Sequence, residues 1–132
     1  MAPADIQLTL DGGENAGDWR RYEPGGEVSG AASITPASDI RCNHLYARLA
    51  WHTEGRGDRD TGKAAEVDLF QGMLPAGQTR TFSFQFRAPK EPWSYSGHYI
   101  NIVWEVVVEI DVPMALDVRR AERFILFPAL QP

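Results

Sequence analysis

The amino-acid sequence predicts an all-β protein, an immunoglobulin-like antiparallel β-sandwich of about seven or eight strands, on three observations. Apolar and polar residues alternate with period two in run after run, turn-forming clusters separate the runs, and no apolar stripe of helical period lasts three turns. Period two puts successive side chains on opposite faces of a strand, so each run has one core face and one wet face.

The runs follow in order. Ile6, Leu8 and Leu10 alternate with Asp5, Gln7 and Thr9, and DGGENAG ends the strand. Val28, Gly30, Ala32 and Ile34 alternate with small or polar residues up to TPASD. Leu45, Ala47, Leu49 and Trp51 oppose Tyr46, Arg48, Ala50 and His52, before the charged stretch EGRGDRDTG. Val67 and Leu69 mark a short strand ahead of LPAG. Phe82, Phe84 and Phe86 alternate with Thr81, Ser83, Gln85 and Arg87 in the clearest pattern of the chain, which APKEP closes. Phe124 to Phe127 forms the last strand.

The longest apolar stretch lies between Pro92 and Pro113. Ile100, Ile102, Trp104, Val106, Val108, Ile110 and Val112 share one parity; Tyr99, Asn101, Val103, Glu105, Val107, Glu109 and Asp111 share the other. A helix would set Glu105 and Glu109 one turn apart among apolar neighbours, and the β-branched run Val106 to Val108 also disfavours it. The stretch therefore reads as a long, half-buried strand whose wet face carries two valines, with prolines at its ends because proline cannot donate to a ladder.

With 132 residues and 14.7 kDa, the expectation is one domain over residues 1–132. A net charge of −5 repels phosphate backbones and anionic lipid heads, so neither nucleic acid nor a membrane surface is an expected partner. The single Cys42 excludes an intrachain disulfide, and MAPADIQLTL lacks a basic segment followed by an apolar one. The expected compartment is the reducing cytoplasm.

Three segments carry a resemblance. YEPGGEVSGAASI is similar to a Tyr-x-Pro-Gly-x-x-Val-x-Gly strand, TFSFQFRAP to an alternating Phe strand before a Pro-containing loop, and APKEPWSYSGHYINIVWEVVVEIDVP followed by RRAERFILFP to a loop leading into a long strand that ends in Asp-x-Pro. In this order they resemble the arrestin N-terminal-type domain, from Tyr22 to Pro128. The resemblance implies an arrestin-like sandwich acting as a non-enzymatic adaptor or scaffold that binds other proteins. Phosphate sensing is not carried over, because APADIQLTLDGG offers no Lys or Arg.

Several motifs suggest chemistry and fall short of it. GDRDTGKA, Gly57 to Ala64, has phosphate-loop spacing, but Ala64 stands where a hydroxyl should hold magnesium, and a strand rather than a helix follows. Arg56-Gly57-Asp58 matches an integrin-binding tripeptide on a Gly-rich turn. Asp58, Asp60 and Glu66 could supply oxygens to a hard cation, but the loop positions that need Gly and Glu hold Lys63 and Leu69. The expected state of this stretch is a solvated hairpin loop. Cys42 and His44 share one side of one predicted strand, whereas His52 lies ~26 Å further along it, too far to complete a zinc site. Cys42 with His98 or His44 lacks any nucleophile signature, so no catalytic, metal or cofactor residue is assigned.

The partner-contact candidates are Trp93, Tyr95, Val103 and Val107. Exposed aromatics make good anchors for a protein or a sugar ring, but aromatics beside strand ends usually cover the core. Trp93 and Tyr95 are thus expected to cap the core from below, with Trp19 and Tyr99 sharing the ambiguity. Partner binding or self-association through a sheet edge or face is the expected mode, and a carbohydrate- or small-ligand-binding module is the alternative.

Overall fold

The structure, a computed structural model, describes residues 3–113 and 117–129. Among the described residues twelve strands run in the order β1 (Ala4–Asp11), β2 (Glu14–Ala16), β3 (Trp19–Tyr22), β4 (Glu27–Pro36), β5 (Ile40–Cys42), β6 (His44–Gly55), β7 (Thr61–Asp68), β8 (Gly72–Leu74), β9 (Arg80–Arg87), β10 (Tyr95–Ser96), β11 (Ile100–Asp111) and β12 (Val118–Leu126). A three-stranded sheet β1-β4-β9 faces a larger sheet β2-β3-β12-β11-β6-β7, and β5 pairs with β8 beside them. The pairings are antiparallel except β12 with β3, which run parallel through Ile125↔Arg21 and Leu126↔Tyr22. The predicted sandwich is the observed one.

The alternating runs supply the core. Val28, Ala32 and Ile34 of β4 meet Leu45, Ala47 and Leu49 of β6 and Trp104, Val106, Val108 and Ile110 of β11, with Phe84, Phe86, Phe124 and Leu126 closing the layer. A fully buried side chain of this kind contributes roughly 1.5–3 kcal/mol over leaving it in water. Tyr22 enters the core edge-on to Phe124, and its hydroxyl donates to the Asp11 carbonyl at 2.6 Å, so its polar tip is not stranded.

Four expectations need correction. Cys42 and His44 do not share a strand: Cys42 ends β5, His44 opens β6, and only the thiol is buried. His52, expected on a wet face, is buried, while its neighbour Trp51 is half-buried and packs against the rim of the core. The stretch Gly57 to Ala64 is not all loop, because β7 already begins at Thr61. Val67 is 37% exposed on β7, the outermost strand of the large sheet, and Leu69 lies just past the end of that strand.

Candidate functional site

Residues 89–103 carry four of the eight exposed large hydrophobic side chains among the described residues: Trp93, Tyr95, Tyr99 and Ile100. The fully buried Trp104 donates from Nε1 to the Pro92 carbonyl at 2.8 Å, which ties the loop to the core. Ser94 is clamped to the end of β12: its amide donates to the Leu126 carbonyl at 2.8 Å, and its hydroxyl accepts from the Leu126 amide at 2.9 Å. With Ser94 pinned, its neighbours on both sides are turned away from the clamp. Trp93 is 45% exposed and Tyr95 56%. The expectation that they cap the core therefore fails, for the chain uses Ser94 and Trp104 as the anchors.

Two adjoining grooves result. One, of about 430 Å³, lies between Trp93, Phe127 and Tyr95; the other, of about 380 Å³, lies between Tyr95 and Trp19. Ser94, Tyr95 and Ile102 belong to both, so Tyr95 is the ridge that divides them. Its ring lies across Gly97, where any Cβ would run into the ring edge and the Ile100 carbonyl. Trp93 sits edge-on to Phe127 at 5.1 Å, and its indole N–H is spent on the Lys90 carbonyl at 2.8 Å.

The second groove has a polar wall. Arg123 Nη2 lies 2.7 Å from Glu54 Oε2, and His52 Nε2 lies 2.9 Å from the same oxygen, with His52 Nδ1 3.6 Å from Glu105. The His52 hydrogen bond, helped by the Arg123 cation, holds the Glu54 carboxyl below its usual range. Glu54 and Arg123 thus line the groove as a pair, with the buried His52 behind Glu54.

The sequence-predicted residues divide. Trp93, Tyr95 and Val103 line the grooves, and Trp19 joins them from β3. Val107 does not: it is 2% exposed, buried on the outer face of β11. Arg48 stands directly opposite it on β6, held flat by Glu109 at 2.7 Å and by Glu66, so the stem of the arginine covers the valine. The Glu54–Arg123–His52 wall was missed, since these residues come from β6 and β12 and meet only through the sheet.

Elsewhere the chemical candidates are inert or dispersed. Burial pushes the Cys42 thiol up to about 11, and its sulfur points at the Phe70 carbonyl, 3.6 Å away. His44 instead pairs with Asp68 at 2.6 Å and stacks on Tyr46. Glu66 is engaged by Arg48 and Lys63, and among the described residues no three potential metal ligands of Asp, Glu, His or Cys converge. Arg56 lies over the Tyr99 ring at 5.5 Å. Among the described residues no helix is long and apolar enough to cross a membrane.

No known protein family and no curated protein matches the sequence. Among solved structures, the chain is similar to the crystal structure of Spo0M, a sporulation control protein from Bacillus subtilis, with a TM-score of 0.74 at 17% identity. The fold is arrestin-like. The likeness covers 98% of this chain and 51% of the Spo0M chain, so the chain spans about half the length of that neighbour. The arrestin-like sandwich expected from the three sequence segments is thereby found over the described chain.

Proposed function

We propose that the chain is a non-enzymatic, protein-binding adaptor domain whose contact surface is the aromatic end of the large sheet. The observation that carries this reading is the exposed ridge of Tyr95 between two grooves walled by Trp19, Trp93 and Phe127. Large rigid aromatics bring contact area at little entropic cost, and they are the residue types that dominate binding energy at interfaces. An arrestin-like fold supports a regulatory or adaptor role without naming a partner, because a fold does not dictate a function. The similar chain, Spo0M, is described as a sporulation control protein, which agrees with a regulatory role.

The test is quantitative capture of proteins from the native host on immobilised chain, wild type against the double variant Trp93→Ala with Tyr95→Ala. Both side chains are exposed, so the variant should keep its circular dichroism spectrum and lose the captured partner. Capture at wild-type levels by the folded variant would remove this surface from the account.

A second reading rests on the polar wall. Asn101, Glu54 and Arg123 stand between Trp19 and Tyr95, the arrangement of stacking face and hydrogen-bonding groups that suits a sugar ring. Soluble glycans would then quench tryptophan fluorescence, and Trp19→Ala would abolish the quench. Fluorescence indifferent to a panel of glycans sinks this second reading and leaves the first standing.

A further inference from the structure

The outer edge of the large sheet is β7, TGKAAEVD, paired on its inner side with β6. The register runs Thr61↔His52, Gly62↔Trp51 and Lys63↔Ala50, then jumps to Ala65↔Leu49, Glu66↔Arg48, Val67↔Ala47 and Asp68↔Tyr46. Ala64 is thus an extra residue, a β-bulge. In an unbroken strand, residues an odd number of positions apart point to opposite faces. The bulge cancels that, so Lys63 and Glu66 share the outer face, with Nζ and Oε2 3.3 Å apart.

We propose that β7 pairs antiparallel with β7 of a second copy of this chain, about a two-fold axis between Ala64 and Ala65, fusing two large sheets into one. In that register Lys63 faces the partner's Glu66, Glu66 faces the partner's Lys63, and Thr61 faces the partner's Asp68. Directly opposed residues of an antiparallel pair must share a face, and a two-fold axis normal to the sheet keeps each residue on its face. A regular strand could not bring residues at odd spacing together this way. The bulge supplies the missing step, and the charge-matched register becomes the face-matched one.

The apolar side of the strand fits the same pairing. Gly62 faces inward, and the Trp51 indole lies so close across it that a Cβ there would strike the ring. The pairing sets the exposed Val67 of one copy beside this half-covered indole of the other, twice by symmetry. An aromatic laid over an edge glycine stiffens the edge and leaves an apolar border to be covered.

Charge selects the occupant. A lysine and a bulge on an edge strand ordinarily discourage strand addition, and β7 carries both. Against an arbitrary strand they repel; against a second β7 each cation meets an anion, so the same devices exclude foreign strands and admit the chain itself. One edge strand of the small sheet, β9, reads RTFSFQFR and pairs without a bulge, so its longest face-matched self-registers oppose Arg80 to Phe86 or Thr81 to Arg87 and match no opposite charges.

Sedimentation equilibrium on the full chain, on Lys63→Glu, on Glu66→Lys and on an equimolar mixture of the two variants tests this. The wild type should dimerise. Each single variant places like charges opposite each other twice per interface and should raise the dissociation constant by about 30-fold. The mixture restores both opposite-charge pairs in a heterodimer and should recover association. A wild type that stays monomeric at the highest attainable concentration, single variants that dimerise as tightly as wild type, or a mixture no tighter than its components would each overturn the proposal. Amide exchange on unmodified chain reads the same surface without substitutions: alternate amides across 61–68 should gain protection as concentration rises, and constant exchange there also overturns it.

Discussion

Val103 and Val107 stand four residues apart on the same face of the same strand, yet one lines an open groove and the other is sealed. The difference lies in their cross-strand neighbours. Opposite Val107 is Arg48, whose guanidinium is held by Glu109 and Glu66 across three strands, so its stem lies over the valine as a lid. Opposite Val103 is His52, which is turned to Glu54 and Glu105 and leaves the valine at the foot of the aromatic ridge. One sheet face thus holds a region closed by its own charges and a region left open between aromatics. The comparison teaches that exposure on a wet face is decided by what a long side chain is bonded to, and only secondarily by strand parity.

The comparison is broken most forcefully by a charge. Val107→Lys buries an ammonium directly opposite Arg48 and should cost ~3 kcal/mol or more, whereas Val103→Lys opens onto a groove and should cost about 1 kcal/mol. Urea titration of both variants measures this, and equal costs would erase the distinction. At the open end, Ser94→Ala removes the acceptor for the Leu126 amide and should cost about 1 kcal/mol. Its sharper signature is local: amide exchange at 93–96 should quicken while Val106 and Val108 stay protected, and unchanged exchange would show that Ser94 does not set the ridge.

The smallest effect is a pH dependence. Hydrogen bonds from the Gln71 amide, His44 and the Leu45 amide hold the Asp68 carboxyl down to about 2. A depressed carboxyl adds stability that is present above its unfolded pKa, about 4, and is lost as pH falls through the folded value. Asp68→Asn should therefore flatten the decline in melting temperature between pH 4 and about 2. A decline as steep as in wild type would mean that this carboxylate adds little at the edge of the sheet.

Much of the fold was legible because period two is a local signal. The phenylalanines of β9 and the six-position alternation of β11 from Ile100 to Ile110 each declare a face within one strand. The three-residue strands β2, β5 and β8 carry no period and went unread, as did the bulge, since Ala64 and Ala65 are indistinguishable in hydropathy. Burial on the outer face was illegible for another reason. The lid on Val107 comes from Arg48 and Glu66, far away in sequence, and the exposure of Trp93 and Tyr95 depends on Ser94 reaching the backbone of Leu126. Such contacts exist only after the sheets have formed.

The central claim is that partners meet the open region and not the closed one. Site-specific photo-crosslinking in the native host tests it, with a benzophenone side chain at position 95 on the ridge or at position 121, where the exposed Ala121 pairs directly with Val107. A covalent adduct with another protein from position 95 and none from position 121 is the predicted result. Adducts from position 121 with none from 95 would contradict the account and move the binding surface to the face that the charges were thought to close.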